Sequence, residues 1–136
     1  MAIKISGSCL CGNITFDYQG EMADAAYCHC TDCRKTTGSA FNISVGLQAA
    51  HFKITKGSPK GYTKTADSGR DLTRHFCPDC GTPLFTSSPS RPGMIYVKAG
   101  ALNDPSVITP AYQSWTESSV PWAHIPENLR AFGKDR

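Results

Sequence analysis

The chain has 136 residues, of which 40% are hydrophobic and 18% are charged, and its formal net charge is +3 at pH 7. This length and composition predict one globular domain over residues 1–136 and exclude an intrinsically disordered chain. The positive charge is small and scattered, with no basic run interleaved with aromatic residues, so we expect no nucleic-acid partner.

The sequence contains no run that approaches the roughly 18 apolar residues of a membrane-spanning helix. Its first residues, MAIKISGSCLCG, have neither the apolar core nor the cleavage pattern of a signal peptide. We therefore expect a cytoplasmic protein without a membrane partner. In that reducing compartment, seven cysteines at C-x-C and C-x2-C spacings indicate metal ligands and not a disulfide framework.

The first predicted elements are short. Polar and apolar residues alternate over 13–18, which predicts a half-buried strand. Residues 19–21 predict a turn into a partner strand over 22–27. One or two helical turns are predicted over 31–37, with Gly38 as the C-cap.

The rest of the chain is also predicted to form short strands joined by turns. Alternating patterns flanked by turn residues predict further strands over 41–45, 52–55, 62–65, 72–76 and 94–97. From Asp104 onward the chain is rich in proline and aromatic residues, which predicts ordered coil packed on the sheet. The whole predicts a mainly β fold of short antiparallel strands with little helix.

The strongest local motif is CPDCG at 77–81. Such a knuckle brings two thiolates to one metal ion, while Pro78 fixes φ and Gly81 allows the left-handed conformation that closes the turn. A redox C-x2-C motif normally opens a helix, whereas GTP at 81–83 is typical of a turn. The motif therefore favours zinc over redox chemistry.

The seven thiols can be shared between metal sites in two ways. Side chains at i and i+2 of an extended chain lie on one face, so CLC at 9–11 and CHC at 28–30 can each offer two thiolates to one ion. One division uses Cys9, Cys11, Cys77 and Cys80 for a closed site and leaves Cys28, Cys30 and Cys33 for a second site. The other division pairs the knuckle with two of the middle three and leaves Cys9 and Cys11 free. We favour the first, which leaves no thiolate stranded and gives the second site an open position for water or substrate.

Read together, three segments resemble a known family. GSCLCGNITF, CHCTDCRKTTGSAF and HFCPDCGTPLF occur in that order and resemble the glutathione-dependent formaldehyde-activating enzyme (Gfa) family. The resemblance runs from Gly7 to about Phe85, and Trp115 and Trp122 look like the family's aromatic C-terminal segment. It implies an Mss4-like β-tent of short antiparallel sheets stapled by zinc.

The resemblance also implies ligands and an activity. It implies two zinc ions per chain, a structural one at the four-cysteine site and a catalytic one at Cys28, Cys30 and Cys33. The implied reaction is that of an S-(hydroxymethyl)glutathione synthase, a carbon–sulfur lyase, in which a zinc-bound thiol such as glutathione adds to formaldehyde or another small aldehyde. Small thiols and aldehydes are thus the expected partners.

Three residues are candidates for contact with the substrate. Arg34 and Lys35 directly follow the third ligand and are candidates to receive a substrate carboxylate, with solvated surface charge as the alternative. Trp122 is a candidate for a pocket wall. Two other functions remain open: a non-catalytic zinc-binding interaction module, and a redox-sensing zinc–thiolate protein.

Overall fold

The computed structural model describes residues 2–135. Within these residues the chain forms one α-helix, α1 (Thr31–Thr37), and ten strands. The strands are β1 (Ala2–Ser8), β2 (Thr15–Cys28), β3 (Asn42–Gln48), β4 (Phe52–Lys56), β5 (Lys60–Thr65), β6 (Asp71–Phe76), β7 (Pro83–Ser87), β8 (Met94–Lys98), β9 (Pro110–Ser114) and β10 (Arg130–Ala131). Among residues 2–135, no helix has the length and apolar content needed to cross a membrane.

The ten strands belong to one sheet with the order β10-β9-β2-β3-β8-β7-β6-β5, and β1 and β4 pair with the first half of β2. Most neighbours are antiparallel, but β9 runs parallel to both β2 and β10. The mainly β prediction is confirmed, and so is the short helix that ends at Gly38, whose φ of 68° lies in the left-handed region.

One predicted turn is wrong, and four strands had no predicted counterpart. Residues 19–21 lie inside β2, because β1 pairs with this stretch up to the register Ala2↔Glu21 and holds it extended. Strands β1 and β7 fall where no strand was predicted, and β9 and β10 lie in the stretch after Asp104 that was predicted as coil. Strand β9 is held by its pairing with β2, a partner far away in sequence.

One face of the central strands forms the core. Val45 and Leu47 of β3 and Val97 of β8 are completely buried, and Phe16 and Tyr18 of β2 pack into the same cluster. Alternation along each strand then sends the intervening residues to the other face. The core therefore fixes which side chains face the opposite side of the sheet.

That opposite face lines a cavity. Twelve of the residues that line it form pairs with an i, i+2 spacing on six strands or their ends. They are Ala26 and Cys28, Asn42 and Ser44, Leu72 and Arg74, Thr86 and Ser88, Tyr96 and Lys98, and Tyr112 and Ser114.

Candidate metal centre and its cavity

The seven cysteine thiols form two groups. One group contains Cys9, Cys11, Cys77 and Cys80, and the other contains Cys28, Cys30 and Cys33. Within each group the sulfur atoms all lie within 4.8 Å of one another. This grouping matches the division that sequence spacing favoured, and it leaves the knuckle apart from the middle three cysteines.

Two tight turns build the four-cysteine group. The Cys9 carbonyl accepts a hydrogen bond from Gly12 N at 3.2 Å, and the Cys77 carbonyl accepts one from Gly81 N at 2.8 Å. Both glycines have φ near +80°, a conformation that a residue with a Cβ adopts only with strain. The Ile14 amide also donates to Cys9 Sγ at 3.2 Å, so the turn orients the sulfur.

The sulfur spacing of this group fits zinc. The distance from Cys9 Sγ to Cys11 Sγ is 3.6 Å, and that from Cys11 Sγ to Cys77 Sγ is 3.8 Å. A zinc ion with four tetrahedral Zn–S bonds of about 2.3 Å requires sulfur atoms about 3.8 Å apart. Four thiolates would complete its coordination and leave no position for a substrate.

The three-cysteine group lies where β2 ends and α1 begins. Cys28 is the last residue of β2, and Cys30 is the N-cap of α1, where its Sγ accepts a hydrogen bond from Cys33 N at 3.2 Å. The first turn of the helix brings the buried Cys33 round to the other two sulfurs. An extended C-x-C followed by a helix start is thus enough to gather three thiols.

The histidine between two of these cysteines is buried and contacts β9 through its side chain. His29 is 1% exposed, and its Nε2 lies 2.9 Å from Gln113 Oε1. His75, which precedes the knuckle, stacks on Phe85 with ring centroids 4.2 Å apart and lies 3.1 Å from Ser87 Oγ through Nε2. In the part of the chain that the structure describes, neither histidine belongs to a cysteine group.

The three thiols share their protons unequally. Hydrogen bonds from Cys30 and Cys33, together with one from Ser114, lower the pKa of the Cys28 thiol to about 3. The same interactions with Cys28 and Cys30 raise the pKa of Cys33. Hydrogen bonds from its neighbours thus favour the thiolate at Cys28, and a bound cation would favour the thiolate at all three sulfurs. Three convergent thiolates are a donor set that suits zinc.

A cavity of about 180 Å³ opens beside the three-cysteine group. Its lining includes all three of these cysteines and none of the other four. Trp115 also lines it and is the one non-glycine residue with positive φ among residues 2–135, at 56°. Backbone strain of this kind concentrates at functional sites.

Two basic side chains lie on the cavity wall and are buried. Arg74 of β6 and Lys98 of β8 are each 8% exposed. Lys98 Nζ donates a hydrogen bond to Asn42 Oδ1 at 2.8 Å, and Asn42 is the cross-strand partner of Cys28. Burial lowers the pKa of Lys98. The Arg74 Nε atom is buried without a hydrogen-bond partner.

Of the other five charged residues that line the cavity, Asp67 is exposed and the remaining four have partners of their own. Arg70 forms a salt bridge of 2.7 Å with Asp135, and Arg91 donates to the Tyr96 hydroxyl at 3.2 Å. Asp32 on α1 pairs with Lys64, also at 2.7 Å.

The three predicted substrate residues lie away from this lining. Lys35 is exposed and Trp122 is 68% exposed. Arg34 turns back along its own helix, where its Nη2 lies 3.4 Å from Thr31 Oγ1. None of the three lines the cavity, so their contact with substrate remains a prediction.

The residues that the sequence reading missed are Asn42, Arg74 and Lys98. Both Asn42 and Arg74 fall in predicted strands. Alternation separates Asn42 from the apolar residues of its strand, but it places Arg74 on the same face as Leu72 and Phe76. What local sequence does not show is that β3, β6 and β8 turn these faces toward one cavity.

Comparison with known proteins gives a consistent picture. The family model described as glutathione-dependent formaldehyde-activating enzyme matches residues 4–118. A *Halomonas elongata* protein provisionally named as such an enzyme is 30% identical over 112 residues, which cover 73% of this chain and 66% of that protein. Two proteins of the same provisional name, from *Aspergillus flavus* and *Aspergillus oryzae*, are 27% identical over 79 residues.

The coverage of these relatives is partial. The match spans just under two thirds of the *Halomonas* protein and 40% of each *Aspergillus* protein. Among solved structures, the crystal structure of a *Rhodobacter sphaeroides* protein superposes with a TM-score of 0.58 at 17% identity and covers 94% of this chain and 99% of that one. This last likeness is one of fold alone.

Proposed function

The chain belongs to the glutathione-dependent formaldehyde-activating enzyme family, and on that premise we propose that it is a carbon–sulfur lyase of the S-(hydroxymethyl)glutathione synthase type. In the synthetic direction it joins a small thiol, glutathione or a similar one, to formaldehyde or another small aldehyde. In the reverse direction it cleaves the same carbon–sulfur bond. All ten strands join one sheet, which supports the further proposal that residues 1–136 are a single domain.

One observation carries this proposal: the three-cysteine group lines a cavity, and the four-cysteine group does not. We propose that each group holds one zinc ion. Cys9, Cys11, Cys77 and Cys80 would hold a structural ion, and Cys28, Cys30 and Cys33 would hold the ion of the active site. Zinc bound by three thiolates supplies a Lewis acid that keeps a substrate sulfur deprotonated and in place.

The chain's own residues set the geometry of the reaction. The β2–α1 junction holds the three cysteine sulfurs at one end of the cavity, because Cys30 caps the helix that carries Cys33. The cavity walls hold the second reactant against the first, which removes most of the entropy cost of bringing the two together. The thiol loses one proton, and its sulfur bonds to the carbonyl carbon as the π bond of the carbonyl group breaks. The carbonyl oxygen receives that electron pair and takes up one proton.

The direct test uses the zinc-loaded chain. Glutathione is titrated into it with and without formaldehyde, and formaldehyde consumption is measured above the uncatalysed rate. We expect saturable thiol binding and a consumption rate that depends on glutathione. Cys30→Ser is the matched control, because serine preserves the helix cap and removes one thiolate. Absence of both binding and turnover would refute glutathione and formaldehyde as the substrates and favour a non-catalytic zinc module.

A further inference from the structure

The two buried cations on the cavity wall are not accounted for by the metal centre. No carboxylate among residues 2–135 forms a salt bridge with Arg74 or Lys98. Each side chain is 8% exposed, and a buried charge is costly unless an opposite charge or hydrogen bonds compensate it. Lys98 has a neutral hydrogen-bond partner in Asn42, whereas the Arg74 Nε has none.

The neighbouring charges do not neutralise both positive charges, those of Arg74 and Lys98. Zinc with three thiolates carries a formal charge of −1, which a single cation offsets. Two of the three carboxylates that line the cavity are already engaged, Asp32 by Lys64 and Asp135 by Arg70. The third, Asp67, is an exposed residue. One buried cation is therefore left without an anionic partner.

We propose that Arg74 and Lys98 form a subsite for a carboxylate group of the substrate. The inference rests on the proposed function, since the carboxylate must belong to a molecule that reacts at the three-cysteine group. An arginine fork beside a lysine ammonium is a common way to hold a carboxylate by charge-assisted hydrogen bonds. The bound group would supply the hydrogen-bond acceptor that Arg74 lacks.

The position of Lys98 limits how far this carboxylate lies from the reacting atoms. Its Nζ is hydrogen-bonded to the Asn42 side chain, and the backbone of Asn42 pairs directly with that of Cys28. Only one residue thus separates the Lys98 ammonium from a cysteine of the reactive group. The substrate is accordingly one whose carboxylate lies a few bonds from its sulfur or from its carbonyl carbon.

Two reactants can supply such a carboxylate, and matched pairs distinguish them. For the thiol, 3-mercaptopropionate is compared with 3-mercaptopropionamide, both with formaldehyde. For the aldehyde, glyoxylate is compared with glyoxylamide, both with 2-mercaptoethanol. The zinc-loaded chain is used throughout, and kcat/KM is measured above the uncatalysed rate. We expect a preference of at least about tenfold for the carboxylate in one pair, the size expected for charge-assisted hydrogen bonds, and little preference in the other.

Variants then test whether Arg74 and Lys98 cause the preference for the carboxylate. Arg74→Gln and Lys98→Gln should each reduce it to about twofold or less, and Arg74→Lys should restore part of it. Lys60→Gln is the matched control, because Lys60 of β5 is an exposed cation outside the cavity lining and its loss should leave the preference unchanged. Zinc content and circular dichroism verify that each variant is folded and loaded. The wild-type comparison needs no variant and remains decisive if one fails to fold.

The outcomes separate the subsite from the proposed function. Turnover with equal rates inside both pairs would overturn the carboxylate subsite and leave the lyase activity standing. A tenfold preference that survives both glutamine substitutions would place the carboxylate elsewhere and also overturn it. No turnover with any thiol or aldehyde would overturn the proposed function and the subsite together.

Discussion

The two cysteine groups are made from similar pieces and have different surroundings. Each uses an extended C-x-C, at 9–11 and at 28–30. The first meets a second turn, the 77–81 knuckle, which adds two more sulfurs. The second is followed directly by the N-terminus of α1, whose first turn adds one sulfur, that of Cys33. The partner element therefore decides whether the group is closed or has room for a substrate.

The position of each group in the sheet strengthens this contrast. Cys77 and Cys9 belong to the hydrophobic core cluster, where Cys77 is completely buried. Cys28 and Cys30 are only partly buried and line the cavity together with Cys33. The four-cysteine group joins the start of the chain to its middle, so we expect stability to depend on it. The three-cysteine group lies on the face of the sheet that lines the cavity, so we expect activity to depend on this group.

The largest expected effect is that of Cys77→Ser. Loss of one ligand from the closed group should release its zinc and unfold or aggregate the protein. A structural zinc site contributes about 10–16 kcal/mol to folding, whereas a typical domain is stable by only about 5–15 kcal/mol. Circular dichroism and zinc content measure the outcome. A folded Cys77→Ser protein with normal thermal stability would show that the four-cysteine group is not a structural staple.

Cys30→Ser should have a smaller effect on the fold and abolish activity. Serine is a favoured N-cap, so the hydrogen bond from Cys33 N to the cap side chain can persist and α1 should form. We expect loss of about one zinc ion per chain, with the far-ultraviolet circular dichroism preserved. If Cys30→Ser unfolds as completely as Cys77→Ser, both groups are structural and the proposed division of roles is wrong.

Acidification should release the two zinc ions in sequence. Zinc ligands must be deprotonated, so protons compete with the metal and zinc affinity falls as pH falls. A site with three protein ligands and access to a cavity should lose its zinc at a higher pH than a closed four-thiolate site. A chromogenic chelator would record two release steps during an acid titration. Cys30→Ser should lack the step at higher pH, and a single step in the wild-type protein would contradict the distinction.

The sequence predicted the cysteine groups better than the cavity around them. Local spacing predicts that each C-x-C, like the C-x2-C knuckle, holds its two sulfurs together. The division that joins Cys9 and Cys11 to the knuckle was favoured over its alternative because it strands no thiolate, and the structure groups the sulfurs in that way. The cations Arg74 and Lys98 meet at the cavity only through the pairing of β6, β7 and β8. Alternation assigns a side chain to a face of its own strand, but it does not identify the neighbouring strand.

The same limit explains the errors in the predicted strands. Residues 19–21 have the composition of a turn, yet they are extended because β1 pairs along them. Strand β9 has prolines and aromatic residues nearby and lies parallel to β2, with Ser114 opposite Cys28. This pairing over more than eighty residues of sequence brings the Ser114 hydroxyl to the three-cysteine group, and no local pattern reveals it.

The smallest expected effect compares one glycine from each group. Gly38 ends α1 beside the three-cysteine group with φ of 68°, and Gly81 closes the knuckle with φ of 80°. A Cβ at either position would meet no atom within 4 Å, so alanine is disfavoured by backbone conformation alone, at about 1–2 kcal/mol. Urea unfolding of the zinc-loaded protein should show a loss of this size for Gly38→Ala and for Gly81→Ala.

Two controls separate strain from other causes. Gly100→Ala adds a Cβ in equally open space at a residue without positive φ, so the free energy of unfolding should stay nearly constant. Gly38→Asn should cost less than Gly38→Ala, because asparagine tolerates the left-handed region. Since neither Gly38 nor Gly81 contributes a sulfur, both alanine variants should bind zinc normally. A variant of Gly81 that also loses zinc would show that closing this turn is part of forming the metal site, which would sharpen the contrast between the two groups.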